Sequence, residues 1–143
     1  MVIRDLGELS GEVLVFGGPY SNLQAARALF DETSHIPQAN RICTGDVVAY
    51  CADPDATCDL VFAETGCVVA GNCEKQLAAG AADCGCGFEY GTACDLLSRG
   101  WYPYAAARIS PDQQGAMAAC PDMAVFTHAG RRVAVIHGGA TDI

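Results

Sequence analysis

The sequence predicts an α/β fold with a mostly parallel sheet and a C-terminal antiparallel hairpin. Three observations carry this. Short β-rich runs end in glycine and lead into helices at residues 12–30, 41–66 and 67–79. Capping signals open several of those helices. Two β-rich runs near the C-terminus, MAVFT and RRVAVIH, are separated only by a short turn.

In the first unit EVLVF forms a strand ending in Gly17-Gly18, and Ser21-Asn22-Leu23-Gln24 reads as a capping box opening a helix to about Phe30. Leu23, Ala26, Leu29 and Phe30 supply its apolar face. The second unit is the strand Arg41-Ile42-Cys43, the turn Thr44-Gly45-Asp46, and a helix starting at Asp53-Pro54 and ending near Gly66. A third strand at residues 67–70 leads through Gly71-Asn72 into the helical composition of CEKQLAA.

Residues 80–91 are too glycine-rich for a regular element, so the segment is expected to be a loop ordered by a metal or by tight packing. Residues 92–107 read as a helical stretch interrupted at Pro103, with Leu96, Leu97, Trp101 and Tyr104 as its apolar residues. Ser110-Pro111-Asp112-Gln113 is a second capping box, for a helix to about Ala119. The hairpin follows, turning at His128-Ala129-Gly130, and its last strand runs into His137-Gly138-Gly139.

Composition narrows the function. The 143 residues suit one domain (residues 1–143) with a core that needs no disulfide staples. No apolar run reaches the ~20 residues of a membrane span, and Asp5, Glu8 and Glu12 stand where an export signal would be basic and then apolar, so a cytoplasmic, non-membrane protein is expected. A formal charge of −9 argues against bulk nucleic acid as a partner, because such affinity comes largely from Lys and Arg displacing counterions. A small phosphorylated substrate stays compatible with an acidic chain if a metal supplies local positive charge. Self-association is an open alternative. The nine cysteines are expected as reduced thiols, since an odd number cannot all pair within one chain.

Four of the predicted strands end beside Tyr20 and Asn22, Asp46, Asn72 or His137, and in open α/β sheets ligands bind beyond the carboxyl ends of strands. Asp, Asn and His offer oxygen and nitrogen donors that suit divalent manganese, iron or zinc. Each also has a plainer reading: Asp46 and Asn72 as turn or cap residues, His137 as a core histidine. Cys43, Cys67, Cys58, Cys94 and Cys120 read most simply as buried apolar residues. Cys84 and Cys86, in a Cys-Gly-Cys loop, are different: with Cys51 and Cys73 they would form a four-thiolate site for zinc or an iron–sulfur centre. GGPYSN has no phosphate-loop lysine, and Arg131-Arg132 reads as a solvated pair.

The segments GDVVAYCADP, GNCE and VIHGG resemble, in order and spacing, the GD, GNH(D/E) and HG motifs of the calcineurin-like metallophosphoesterases, closest to the bacterial diadenosine tetraphosphatase and small-phosphodiesterase branch. The resemblance covers the whole chain and implies an αββα sandwich, here partial. It implies that Asp46, Asn72 and His137 hold a divalent metal, with Tyr20 and Asn22 toward the substrate. The family's first motif, Asp-x-His-Gly-Asn, aligns with Gly18 to Asn22, so the positions of its aspartate and histidine are Gly18 and Tyr20. Cys73 stands where the family has a catalytic histidine, and is expected as ligand or acid. No Gly-His-x-His motif follows, so the domain is expected to be C-terminally incomplete. The function expected is therefore a metal-dependent phosphoesterase-like hydrolase with a degenerate dinuclear site, acting on a small phosphate ester or nucleotide. The alternative is a non-hydrolytic cysteine-rich metal-binding or redox protein on the same scaffold.

Overall fold

The structure is a computed structural model and describes all residues except Cys86, Phe88 and 140–143. Its strands are β1 (Ile3–Glu8), β2 (Leu14–Phe16), β3 (Arg41–Cys43), β4 (Cys67–Val68), β5 (Met123–His128) and β6 (Arg131–Ile136). Its helices are α1 (Leu23–Glu32), α2 (Pro54–Glu64), α3 (Asn72–Ala78), α4 (Ala93–Ala106) and α5 (Pro111–Ala118).

The strands form two three-stranded sheets, as a sandwich requires. The first is β2-β3-β4, all parallel; the second is β1-β5-β6, with β1 parallel to β5 and β5 antiparallel to β6. Alternation along the short central strands explains the layering. Cys43 and Val68 face a core shared with residues of all five helices, while Ile42, Cys67 and Val69 face Ala124, Phe126 and Val135 of the second sheet. The first sheet is thus buried on both faces, which is why CVVA reads as a continuous apolar run without polar alternation; the buried Arg41 of β3 is paired with Glu64. Burial also accounts for the cysteines there: it pushes the thiols of Cys43, Cys58 and Cys120 up to about 12, so they are neutral packing groups. Cys94, expected to be buried, is exposed.

Local chemistry sets most boundaries. Pro54 opens α2, and Ser110 and Gln113 form the predicted capping box of α5. The hairpin closes on Ala129 and Gly130, at φ of 48° and 74°, the two left-handed residues that a tight two-residue turn requires. For α1 the cap is Asn22 rather than Ser21: the Asn22 side-chain oxygen accepts from the Ala25 amide at 3.0 Å, while Ser21 is buried in a left-handed conformation. Asn22→Ala is therefore expected to lower stability by about 1 kcal/mol, measured by denaturant unfolding, without moving substrate affinity.

Two sequence expectations need correction. Pro103 does not interrupt α4, because a proline removes only its own amide and the ladder resumes with Ala107 N–H donating to the Pro103 carbonyl at 3.1 Å. Within α4 the buried residues are Trp101, Tyr102 and Ala105, whereas Leu96 and Leu97 are exposed. The strand β1 was not anticipated. It is an edge strand, almost wholly exposed, with a register irregularity between Asp5 and Glu8, and so carries no apolar alternation. Asp5 there pairs with Arg132 across the sheet, giving that arginine a partner besides solvent.

No helix among the described residues is long and apolar enough to cross a membrane.

Candidate active site

The site is built on the turn after β3. Gly45 has φ of +103°, and a Cβ on it would stand 2.6 Å from the Gly71 amide nitrogen, so only glycine lets the turns after β3 and β4 approach this closely. Asp46 follows with φ of 54°, an uncommon conformation for a non-glycine residue. Tyr20, Ser21 and Tyr50 share it, and all lie in segments hydrogen-bonded to one another: Tyr20 N–H donates to the Asp46 carbonyl at 3.2 Å, Ser21 N–H to Val47 at 2.9 Å, and Cys51 N–H to Tyr20 at 3.1 Å. Backbone strain concentrated in this way is a feature of functional sites that the surrounding structure over-determines.

Glu74 provides much of that determination. Its fully buried carboxylate accepts from the amides of Asp46 at 2.8 Å, Val47 at 2.8 Å and Gly71 at 2.9 Å, joining the two turns through one side chain. Burial pushes its acidity range up, the three amides pull it back, and the nearby Asp46 charge adds to the upward push. Sequence reasoning assigned Glu74 no role. Its signal was present: a glutamate three residues after the helix-capping Gly71 is the returning half of a capping box.

His137 arrives from the second sheet, directly after β6. Its Nδ1 lies 2.7 Å from the Thr44 carbonyl oxygen, so Nδ1 carries the proton and donates. Its Nε2 then faces Asp46 Oδ2 at 3.5 Å. Gly71 closes the third side, since a Cβ there would meet Asp46 Oδ1 at 2.5 Å and His137 Cε1 at 2.8 Å. Gly71→Ala is thus expected to displace both side chains, seen as a shift of the His137 ring resonances in a protein that still unfolds cooperatively.

The other candidate residues lie around this pair in different ways. Asn72 opens α3 next to Gly71, with its amide nitrogen donating to the Cys84 carbonyl at 3.0 Å. Cys73 is buried, its own amide reaching toward Asp46 Oδ1 at 3.4 Å and its sulfur 3.7 Å from the Asn72 amide nitrogen. Cys84 is buried and Cys51 exposed; Cys86 lies outside the described residues. Among the described residues, no three or more His, Cys, Asp or Glu gather as a metal cluster. Tyr20 is half-exposed, and its ring lies against Gly18, where a Cβ would stand 2.6 Å from the ring. Asn22 is committed through its side-chain oxygen to the α1 cap.

No protein-family model matches the chain, and neither does any curated protein. Solved structures do resemble it, two of them as follows. A provisionally assigned diadenosine tetraphosphatase superposes with a TM-score of 0.68 at 19% identity, over 96% of this chain and 55% of its own. A metallophosphoesterase from Sphaerobacter thermophilus superposes with a TM-score of 0.58 at 16% identity, over 78% of this chain and 42% of its own. The chain has the calcineurin-like metallophosphoesterase fold. It spans about half the length of these two neighbours. The described residues form two facing sheets with the helices on the β2-β3-β4 side.

Proposed function

We propose that the chain is a metal-dependent phosphoesterase-like hydrolase in which Asp46 and His137, joined by Asn72, hold one divalent cation against a small phosphate ester. The observation that carries this reading is the orientation of His137, whose Nδ1 contact with Thr44 aims Nε2 at Asp46. With Nδ1–H committed to Thr44, an unprotonated Nε2 would present its lone pair toward a carboxylate oxygen 3.5 Å away. Two such acceptors repel unless a cation or a proton lies between them. Donors each ~2.0–2.1 Å from a tetrahedral zinc stand about 3.4 Å apart, so the observed separation fits a shared metal. The Thr44 carbonyl is then the outer-shell acceptor that a metal-bound histidine requires.

When bound, the metal supplies a Lewis acid for a phosphoryl oxygen and a water acidified toward neutrality. The chain's own residues do the rest. Asp46 contributes the anionic oxygen and Glu74 fixes its loop. Gly45 and Gly71 let the two turns close up without side chains in the way.

A second metal has less support. Gly18 and Tyr20, at the positions where the resemblance puts an aspartate and a histidine, are matched to each other, since Tyr20's ring fills the space in which any side chain at 18 would begin. Cys73 brings a thiol where the family has a histidine. The account therefore predicts slow turnover on a simple phosphodiester, well below the ~10 per second typical of enzymes. Hydrolysis of a nitrophenyl phosphodiester with added manganese tests it: activity that needs the metal and disappears in Asp46→Asn supports the reading, and activity indifferent to both overturns it.

A further inference from the structure

Next to the Asp46 loop an open groove of about 750 Å³ is lined by Tyr50, Leu96, Leu97, Gly100, Trp101 and Tyr104, with Cys51 and Ala52 at its edge. No charged side chain lines it among the described residues. Leu96 and Leu97 expose 59% and 61% of their surface there and Tyr50 47%, an apolar cluster that water does not favour.

Ring contacts lead from the groove toward the candidate active site. Tyr20, hydrogen-bonded to Asp46 through its backbone, meets the Tyr50 ring edge-on at 5.3 Å between centroids, and Tyr50 meets Trp101 at 5.4 Å. Tyr20 and Tyr50 are both held in left-handed backbone, at φ of 52° and 37°, so two bulky side chains are fixed in this array against their backbone preference. Trp101 is 7% exposed, and its indole N–H, also buried, has no hydrogen-bond partner among the described residues. The far rim is tied down by the Tyr104 hydroxyl, which donates to the Ala52 carbonyl at 2.8 Å.

We propose that this groove takes the planar aromatic group of the phosphate ester processed at Asp46 and His137. The inference rests on the reading of that pair as a phosphate site and specifies its substrate: an ester whose ring, arene or nucleobase, stacks among Tyr50, Trp101 and Tyr104 while the phosphate reaches the Asp46 loop. Uncharged aromatic walls suit a flat π-system.

Trp101 is the only tryptophan of the chain, so its fluorescence reports the groove directly. With manganese present, adenosine monophosphate, phenyl phosphate and glycerol phosphate are titrated into the wild type and into the Leu96→Ser/Leu97→Ser variant, whose exposed positions leave the core intact. Saturable quenching by a ring-bearing phosphate and none by glycerol phosphate is expected. Quenching by both ring compounds identifies a general arene site, and quenching by the nucleotide alone a base site. In the variant the ring-bearing ligands should weaken about tenfold, as a lost apolar contact does, while the affinity for inorganic phosphate stays. No quenching, equal affinities in both proteins, or a wild-type dimer that the variant dissolves would overturn the proposal, the last by showing that a second copy covers the groove. The two readings separate: quenching without any ester hydrolysis sinks the phosphoesterase and keeps the groove, and hydrolysis without quenching does the reverse.

Discussion

Glu74→Ala is expected to destabilise the fold by about 3–5 kcal/mol, because it strips the partner from three buried backbone amides at once, each costing about 1–3 kcal/mol when left unmade. The three are Asp46, Val47 and Gly71, on two different turns, so the loss also frees the turns to separate. Glu74→Gln keeps the shape but turns an N–H₂ toward amide donors, and is expected to recover only part of the loss. Urea unfolding of the two variants measures this. A change below 1 kcal/mol for alanine would mean that water replaces the carboxylate, and that Glu74 does not fix the loop.

Asp46→Asn is expected to weaken manganese or zinc binding by at least about 100-fold, more than the 10–100-fold that outer-shell changes cost, since it removes the one anionic oxygen ligand proposed. His137→Ala should do the same by removing Nε2. Calorimetric titration of wild type and both variants decides it. Equal affinities would assign the metal elsewhere and leave Asp46 as a turn residue in a strained conformation.

How much of this was legible depended on whether the cause was local. Pro54, the Ser110–Gln113 box and the Ala129-Gly130 turn are short-range chemistry, and α2, α5 and the hairpin appeared where sequence put them. The strand β3 matched residue for residue because it is short and ends at a glycine turn. The edge strand β1 was invisible, since its stability comes from pairing with β5, more than 100 positions along the chain, and not from a buried face of its own. The meeting of His137 with Asp46 was legible through strand ends and motif order, though not its distance or the sheet each comes from. The two come from different sheets, so strand-end reasoning within one parallel sheet gave the right neighbours on too simple a topology. In α4, helical periodicity alone could not separate Trp101, which packs, from Leu96 and Leu97, which line an open groove.

The most direct test of the central claim is anomalous diffraction from crystals of the full chain grown with manganese or zinc. The account predicts one peak between Asp46 Oδ2 and His137 Nε2, about 2.0–2.2 Å from each, with the His137 Nδ1–Thr44 contact kept. Metal-loaded crystals with no peak there, and Nε2 closed onto Oδ2 in a direct hydrogen bond of about 2.8 Å, would show a protonated histidine paired with a carboxylate and contradict it.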